Sequence, residues 1–273
     1  MKKTVFITGV STGFGKLWTE ALLKRGDNVA ATSRNAEALA DMAEQYKEQL
    51  LPITLDVTNR GAVIKAVQQA KNHFGNLDVV INNAGYGVFG AIEEVGEKEI
   101  KDVFEANVFG TLWVTQAALP IFREQGRGHI IQLSSVLGIY SIPTLGIYNA
   151  TKFAVEGLSE ALAGEVKDLG IHVTMIEPNG YTTEFGGSSA IYGNGIPAYD
   201  QVKSKLGEIE GVSPEDYGNP EATVPVILDL IDNPQPPLRL FFGKIGFKKA
   251  QKVYAEKMQT WKTWNHVSEA AQG

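Results

Sequence analysis

Apolar and polar positions along the chain follow two alternating periods. Short runs rich in β-branched residues, at 4–9 (TVFITG), 28–33 (NVAATS), 51–56 (LPITLD), 77–85 (LDVVINNAG), 128–135 (GHIIQLSS) and 171–178 (IHVTMIEP), read as strands. Between them, 13–25, 36–49, 60–74, 97–122 and 146–169 carry apolar residues at helical spacing. The strand runs are nearly continuous in apolar residues, as expected when helices cover both faces of a parallel sheet. Strand and helix in strict alternation, joined by right-handed crossovers, predict a doubly wound, Rossmann-like parallel sheet in a three-layer αβα sandwich.

After Pro178 the pattern breaks. The stretch 180–200 (GYTTEFGGSSAIYGNGIPAYD) is rich in Gly, Ser and Tyr and too long for a plain connector, which marks a functional or mobile loop. A helix near 221–230 and a strand at 238–242 (LRLFF) return the chain to the sheet. A last helix spans about 247–267, with Val253, Tyr254, Met258, Trp261 and Trp264 at helical spacing. Its lysines, Lys248, Lys249, Lys252 and Lys257, read as a solvated face rather than a binding patch. No repeat or domain boundary is visible, so the expectation is one catalytic domain over 1–273 with a variable substrate loop at about 180–219.

Composition narrows the class further. With 273 residues, 44% hydrophobic and 21% charged, the chain can bury the core of one large α/β domain. A net charge of -6 gives no reason to expect nucleic acid or an anionic membrane as partner. The absence of cysteine removes disulfides, thiolate metal sites and thiol nucleophiles, and fits a reducing, cytoplasmic setting. The opening Met1-Lys2-Lys3 followed by TVFI resembles a secretory signal, but its apolar run stops at Thr8-Gly9, short of the roughly 7–15 residues such a signal needs.

The first candidate chemistry sits between the first strand and the first helix. In Thr8 to Lys16 (TGVSTGFGK), Gly9, Gly13 and Gly15 allow a tight turn and close approach of backbone to a ligand. The N-terminus of the helix that follows favours a pyrophosphate, so a dinucleotide would lie against Gly9, Ser11, Thr12, Gly13, Phe14 and Gly15. A purely structural turn is the competing reading, since the spacing is G-x-x-x-G-x-G and not G-x-G-x-x-G. The same residues spell Gly9-Val10-Ser11-Thr12-Gly13, a formal nucleophile elbow of a serine hydrolase. That alternative needs an acid and a histidine downstream, and His73, His129, His172 and His266 occupy no suitable loop. His129 and His172 read as strand-edge positions. The second strand ends in Ser33 and Arg34, where an acidic residue would grip the ribose of NAD; Arg34 instead suits the 2′-phosphate of NADP(H). Asp56, with Val57 beside it, either accepts a hydrogen bond from the adenine amino group or caps the next helix.

Two Tyr-x-x-x-Lys pairs remain, Tyr148 with Lys152 and Tyr199 with Lys203. On a helix each pair shares one face, and an ammonium near a phenol lowers its pKa from about 10 toward the working range. Only the first pair follows a serine, Ser135, that ends a strand at the carboxyl edge of the sheet. The second lies beside the Gly-rich loop and reads as a helix start over the substrate cleft. Taken in order, Thr8-Gly9-x-x-x-Gly13-x-Gly15, Asn82-Asn83-Ala84-Gly85, Asn107, Ser135 and Tyr148-x-x-x-Lys152 resemble the short-chain dehydrogenases/reductases over the first two-thirds of the chain.

The resemblance implies an NADP(H)-dependent oxidoreductase that interconverts a carbonyl and an alcohol by hydride transfer. It makes Tyr148 the general acid/base, Ser135 the group that orients the reacting oxygen, Lys152 the tuning cation and ribose ligand, and Asn107 part of a water relay to the lysine. It also implies that Asn83, Ala84 and Gly85 line the cofactor cleft, where the bland reading is a strand end, and that Pro178, Gly180 and Thr183 lie near the nicotinamide. Asn179 departs from the family's glycine at that turn and is expected to tolerate left-handed backbone there. Phe185, Tyr192 and Trp261, with Tyr86 and Phe89, predict a fairly apolar substrate. A homo-oligomer built through the long helices is implied as well. A non-catalytic dinucleotide-binding regulator on the same fold is the remaining alternative, although such proteins often lose the tyrosine or lysine kept here.

Overall fold

Each strand foreseen in the first 178 residues forms, and its side chains alternate between two helical layers. The computed structural model describes residues 2–187, 189–205 and 214–273. Strands β1 (Thr4–Thr8), β2 (Asn28–Ser33), β3 (Leu50–Thr54) and β4 (Val79–Asn82) are followed by the short β5 (Val88–Phe89). Then come β6 (Gly128–Leu133), β7 (Ile171–Pro178), the short β8 (Ile191–Tyr192) and β9 (Arg239–Phe242). Seven of them build one sheet in the order β3-β2-β1-β4-β6-β7-β9, every neighbouring pair parallel. In β1, Phe6 points into one core and Val5 and Ile7 into the other, the period of two that a covered sheet requires.

One layer is α3 (Arg60–Phe74), α5 (Thr111–Gln125) and α6 (Gly146–Val166), contributing Val63, Val67, Val114, Phe122 and Leu162 to the core around Phe6. The other is α1 (Gly13–Arg25), α2 (Ala40–Tyr46) and α8 (Thr223–Asp232), whose Trp18, Leu22, Met42 and Ile227 pack on Val5 and Ile7. Short α7 (Asp200–Ser204) and the long C-terminal α9 (Gly246–Ala270) complete the helices described below, with α4 (Glu97–Phe104) preceding α5. The chain winds outward in both directions from β1 and β4, so the crevice at their carboxyl ends is the natural ligand site of such a sheet.

Four expectations shift. The helix expected at 97–122 is divided by a π-turn at Glu105–Gly110 and runs on to Gln125. The fourth strand ends at Asn82, so Asn83, Ala84 and Gly85 already belong to the loop. The stretch 180–200 is no free loop, because β8 pairs in parallel with β5, Val88 opposite Ile191 and Phe89 opposite Tyr192. Finally, His129 is not at a sheet edge: β6 lies between β4 and β7, and the residue is buried. Ser188 and 206–213, within the expected substrate loop, lie outside the described residues. No helix among the described residues is long and apolar enough to cross a membrane.

Candidate active site

The carboxyl ends of β1, β4, β6 and β7 open into a cleft of about 1310 Å³. At one end of it the Gly-rich turn is fixed from behind. Asn83 Nδ2 donates to the carbonyls of Thr8 and Gly9, both at 2.8 Å, and Thr8 Oγ1 accepts from the amides of Asn83 and Ala84 at 3.0 Å. Gly9, at φ +70, lies so close to the next loop that a β-carbon would meet Ala84 Cα at 2.8 Å. Gly13, at φ +56, faces open space apart from Thr183 at 3.8 Å, and Thr12 offers α1 no side-chain cap. The first amides of α1 therefore stand bare toward the cleft, with helix-dipole polarity suited to a phosphate. Gly9, Ser11, Thr12, Gly13 and Phe14 line the cleft, whereas Gly15 is buried behind the turn, where a β-carbon would meet Gly9 O at 2.3 Å. Its role is to let α1 approach β1.

Farther along this end stand Ser33, Arg34, Asp56 and Val57. Ser33 Oγ accepts from Asn35 N at 3.2 Å, and the Arg34 side chain is exposed at the rim. Asp56 Oδ1 accepts from Thr58 N and Oγ1, so the carboxylate closes its own turn; Asn59, not Asp56, caps α3. Val57 packs on the π-turn, where a β-carbon on Gly110 would meet Val57 Cγ2 at 2.7 Å.

The opposite end is built on α6. Tyr148 and Lys152 are both buried on its inner face, and Ser135, just past the end of β6, lines the cleft beside them. Ser135 Oγ accepts from Leu137 N at 3.1 Å, and its own proton is free to be donated. Lys152 Nζ donates to Leu133 O at 2.7 Å and lies 5.7 Å from the centre of the Tyr148 ring. Burial pushes the Tyr148 phenol up, and Ser135 pulls it only partly back. Burial also brings Lys152 down to about 8, opposed by the neighbouring Glu156 carboxylate.

Asn107 does not line the cleft; it sits buried within the π-turn. Its Oδ1 accepts from Tyr86 N at 3.0 Å, and its Nδ2 donates to Tyr86 O at 2.9 Å and Thr151 Oγ1 at 3.2 Å. Thr151 in turn donates to Tyr148 O at 2.7 Å, so Asn107 links the loop after β4 to the helix carrying Tyr148. Gly85 must lack a side chain here, because a β-carbon would lie 2.9 Å from Asn107 Oδ1. π-turns of this kind recur at functional sites.

Pro178, Asn179, Gly180 and Thr183 form the floor. Asn179 is not left-handed, as only Lys47 and Thr144 are among the described non-glycine residues. Its side chain instead fills the space beside Gly243, at φ +107, where a β-carbon would meet Asn179 Oδ1 at 1.4 Å. Thr183 Oγ1 accepts from Phe185 N at 3.4 Å and starts the turn that brings Phe185 over the cleft, its ring 5.1 Å from that of Tyr148. Phe89 stacks on Tyr192 at 5.3 Å through the β5–β8 ribbon, and Tyr86 lies nearby.

Trp261 is not part of this wall: it stands 58% exposed on the far half of α9. Lys249, expected in solvent, lines the cleft instead with its ammonium 5.3 Å from the Tyr140 ring centre. Sequence reasoning also missed Tyr140, Ile142, Leu145, Tyr181 and Tyr217, apolar or aromatic positions that nothing local distinguishes from core.

Tyr199 and Lys203 go to separate carboxylates outside the cleft. Tyr199 Oη bonds Glu93 Oε2 at 2.5 Å, and Lys203 pairs with buried Glu94 at 2.5 Å. Ser11 lines the cleft, but no histidine does among the described residues; His129 Nε2 is bonded to Thr174 Oγ1 at 2.9 Å. The hydrolase reading thus lacks its base.

Comparison with known proteins agrees with this geometry. Residues 3–190 match the family model described as short chain dehydrogenase. Oxidoreductase BOA17 of Botryotinia fuckeliana is 36% identical over 273 residues, covering 99% of this chain and 100% of its own. A short-chain dehydrogenase from Streptomyces avermitilis superposes with a TM-score of 0.89 at 34% identity, over 99% of this chain and 98% of that one. ElxO, solved with NADP bound, superposes with a TM-score of 0.77 at 27% identity, over 91% of this chain and 100% of its own. Sequence, sheet order and cleft converge on one assignment: the chain belongs to the short-chain dehydrogenase family and is an oxidoreductase.

Proposed function

We propose that the protein is an NADP(H)-dependent oxidoreductase that interconverts a fairly apolar ketone or aldehyde and its alcohol. The observation that carries this reading is the placement of a bare helix N-terminus and Arg34 at one end of the cleft and of Ser135, Tyr148 and Lys152 at the other. NADP bound to ElxO, a relative in fold, supports the choice of cofactor. The cleft fits such a group: Gly9 and Gly13 leave room for a pyrophosphate, and the rim arginine suits a 2′-phosphate. When bound, NADPH supplies the hydride.

The chain's own groups do the rest. Ser135 donates to the carbonyl oxygen and polarises it. Tyr148 gives its proton to that oxygen in reduction and takes it back in oxidation. Lys152, largely charged at neutral pH, steadies the phenolate left behind. Phe89, Phe185 and Tyr192 exclude water from the substrate side and select an apolar chain. The ribbon and segment that carry them form the substrate-side cover, and α5 and α6 are the faces through which a homo-oligomer would form.

The test follows NADPH absorbance with a panel of aldehydes and ketones. Tyr148→Phe is expected to lower kcat at least about 10²-fold, a typical share for a positioned acid, while NADPH still binds. Undiminished turnover in that variant overturns the assignment.

A further inference from the structure

Behind Lys152 the same helix face carries a second charge. Glu156 follows Lys152 by four residues, as Lys152 follows Tyr148, and all three side chains are buried. The Glu156 carboxylate pairs with Arg239 of β9. Arg239 Nη1 also reaches Glu177 Oε1 of β7 at 3.2 Å, and its Nη2 reaches Glu160 Oε2 at 2.9 Å. Glu177 is fully buried, whereas the Glu160 side chain is 67% exposed. The Glu156 stem runs under the turn that follows Ser135: a β-carbon on Gly138 would meet Glu156 Cγ at 2.8 Å, Ser134 Oγ at 2.9 Å and Lys152 O at 3.1 Å.

Three carboxylates thus share one guanidinium, and one oxygen each of Glu156 and Glu177 has no hydrogen-bond partner. Buried carboxylate charge left over in this way is met by protonation, toward which burial drives Glu177, or by a nearby cation, and the next cation along the helix from Glu156 is Lys152. We propose that Glu156, oriented by Arg239, is a positioning residue for Lys152, holding its ammonium charged and seated on the Leu133 carbonyl beneath Tyr148. The inference rests on the reading of Tyr148 and Lys152 given above. The electrostatics run the same way, since Glu156 opposes the fall that burial imposes on Lys152. The charged or titratable groups facing this pair are Tyr148 and Glu160 on α6, Glu177 on β7 and Arg239 on β9; the turn after β6 presents the hydroxyls of Ser134 and Ser135, and the π-turn presents Asn107.

The experiment measures two pH profiles, kcat/KM for carbonyl reduction and NADPH affinity by its fluorescence. Glu156→Gln keeps the shape and an acceptor for Arg239 but removes the charge. Its alkaline limb is expected to move toward lower pH by roughly half a unit or more in both profiles, and Glu156→Asp, which keeps the charge, restores the wild-type limb. Glu160→Gln, which touches Arg239 from the solvent side, leaves limb and turnover unchanged. Arg239→Met leaves Glu156 and Glu177 uncompensated and moves the limb to higher pH; it decides the matter if Glu156→Gln does not fold. A Glu156→Gln limb that coincides with the wild type, or an Arg239→Met limb that moves the other way, overturns the proposal. Either outcome in an enzyme that still needs Tyr148 leaves the proposed function standing, whereas turnover without Tyr148 removes that reading first.

Discussion

Arg34 stands at the rim where β2 ends, and its neighbour Ser33 is turned inward to the amide of Asn35. The chain has Ser33 and Arg34 where an acidic side chain would grip a ribose diol, and under the proposed function discrimination between the two nicotinamide cofactors falls on the guanidinium. A charge-assisted bond to a phosphate contributes about 1.5–3 kcal/mol. Arg34→Asp should therefore raise the Kd for NADPH by about 10–100-fold and leave that for NADH within a few-fold, as read by cofactor fluorescence. Deeper in the sheet, His129 offers a test of another kind. The Thr174 hydroxyl donates to Pro237 O at 2.7 Å, so its oxygen accepts from His129 Nε2. Burial, with His172 beside it, pulls its pKa from 6.5 down to about 3. Between those values the unfolded chain binds a proton that the folded one refuses, so this residue's contribution to stability falls as pH drops, by about 1.4 kcal/mol per unit. Glu177, raised from 4.5 to about 7 by burial, acts in the opposite direction over an overlapping range and masks the effect in the whole protein. The difference between wild type and His129→Gln cancels Glu177. Urea unfolding should show the variant gaining about 2 kcal/mol relative to wild type between pH 6.5 and 5.

At the scale of elements, the periodic segments were legible because burial on both faces leaves a strong apolar signature, and most ends agree within a few residues. The π-turn was not. Apolar spacing through the run 97–122 does not mark it; the extra residue exists because Asn107 is pinned to Tyr86 and Thr151, partners 21 and 44 positions away. The β5–β8 pair is two residues long and sits in a Gly-rich stretch with no alternation to read. Its anchor, Glu94, accepts from Ile196 N at 2.7 Å and pairs with Lys203, although a glutamate is ordinarily expected in solvent. The Gly-rich turn was found, but its three glycines are not equivalent. A β-carbon on Gly15 would run into backbone that Asn83 holds fixed, whereas on Gly13 it meets only the cost of a positive φ. Gly15→Ala should thus cost about 3 kcal/mol in urea unfolding and Gly13→Ala about 1–2 kcal/mol, with Gly13→Ala losing NADPH affinity at the smaller fall in Tm. Equal destabilisation by the two would show that the turn is not packed against β1 as described.

For the molecule as a whole, the order of motifs along the chain was enough to foresee which strand ends meet, because a doubly wound sheet brings the first and fourth strands to its centre. The walls of the cleft were less legible: Tyr140, Tyr181, Tyr217 and Lys249 arrive from segments whose local patterns say only core or surface. Trp261 illustrates the converse, an aromatic residue read into the cleft that stands in solvent. The outer surface also bears on assembly. α6 buries Tyr148 and Lys152 on one face and exposes Phe153 and Leu158 on the other, and the π-turn before α5 exposes Phe109. Large apolar side chains grouped on two neighbouring helices are a feature of interfaces, and a two-fold axis would use each of them twice. Light scattering should accordingly give a mass of at least two 29.6 kDa chains. Because each substitution places a charge on both sides of such an axis, Phe153→Glu with Leu158→Glu should yield the single-chain mass, with the fold retained by circular dichroism. A wild-type protein that is monomeric at micromolar concentration would remove α6 as an interface and leave Phe153 and Leu158 as ordinary exposed residues.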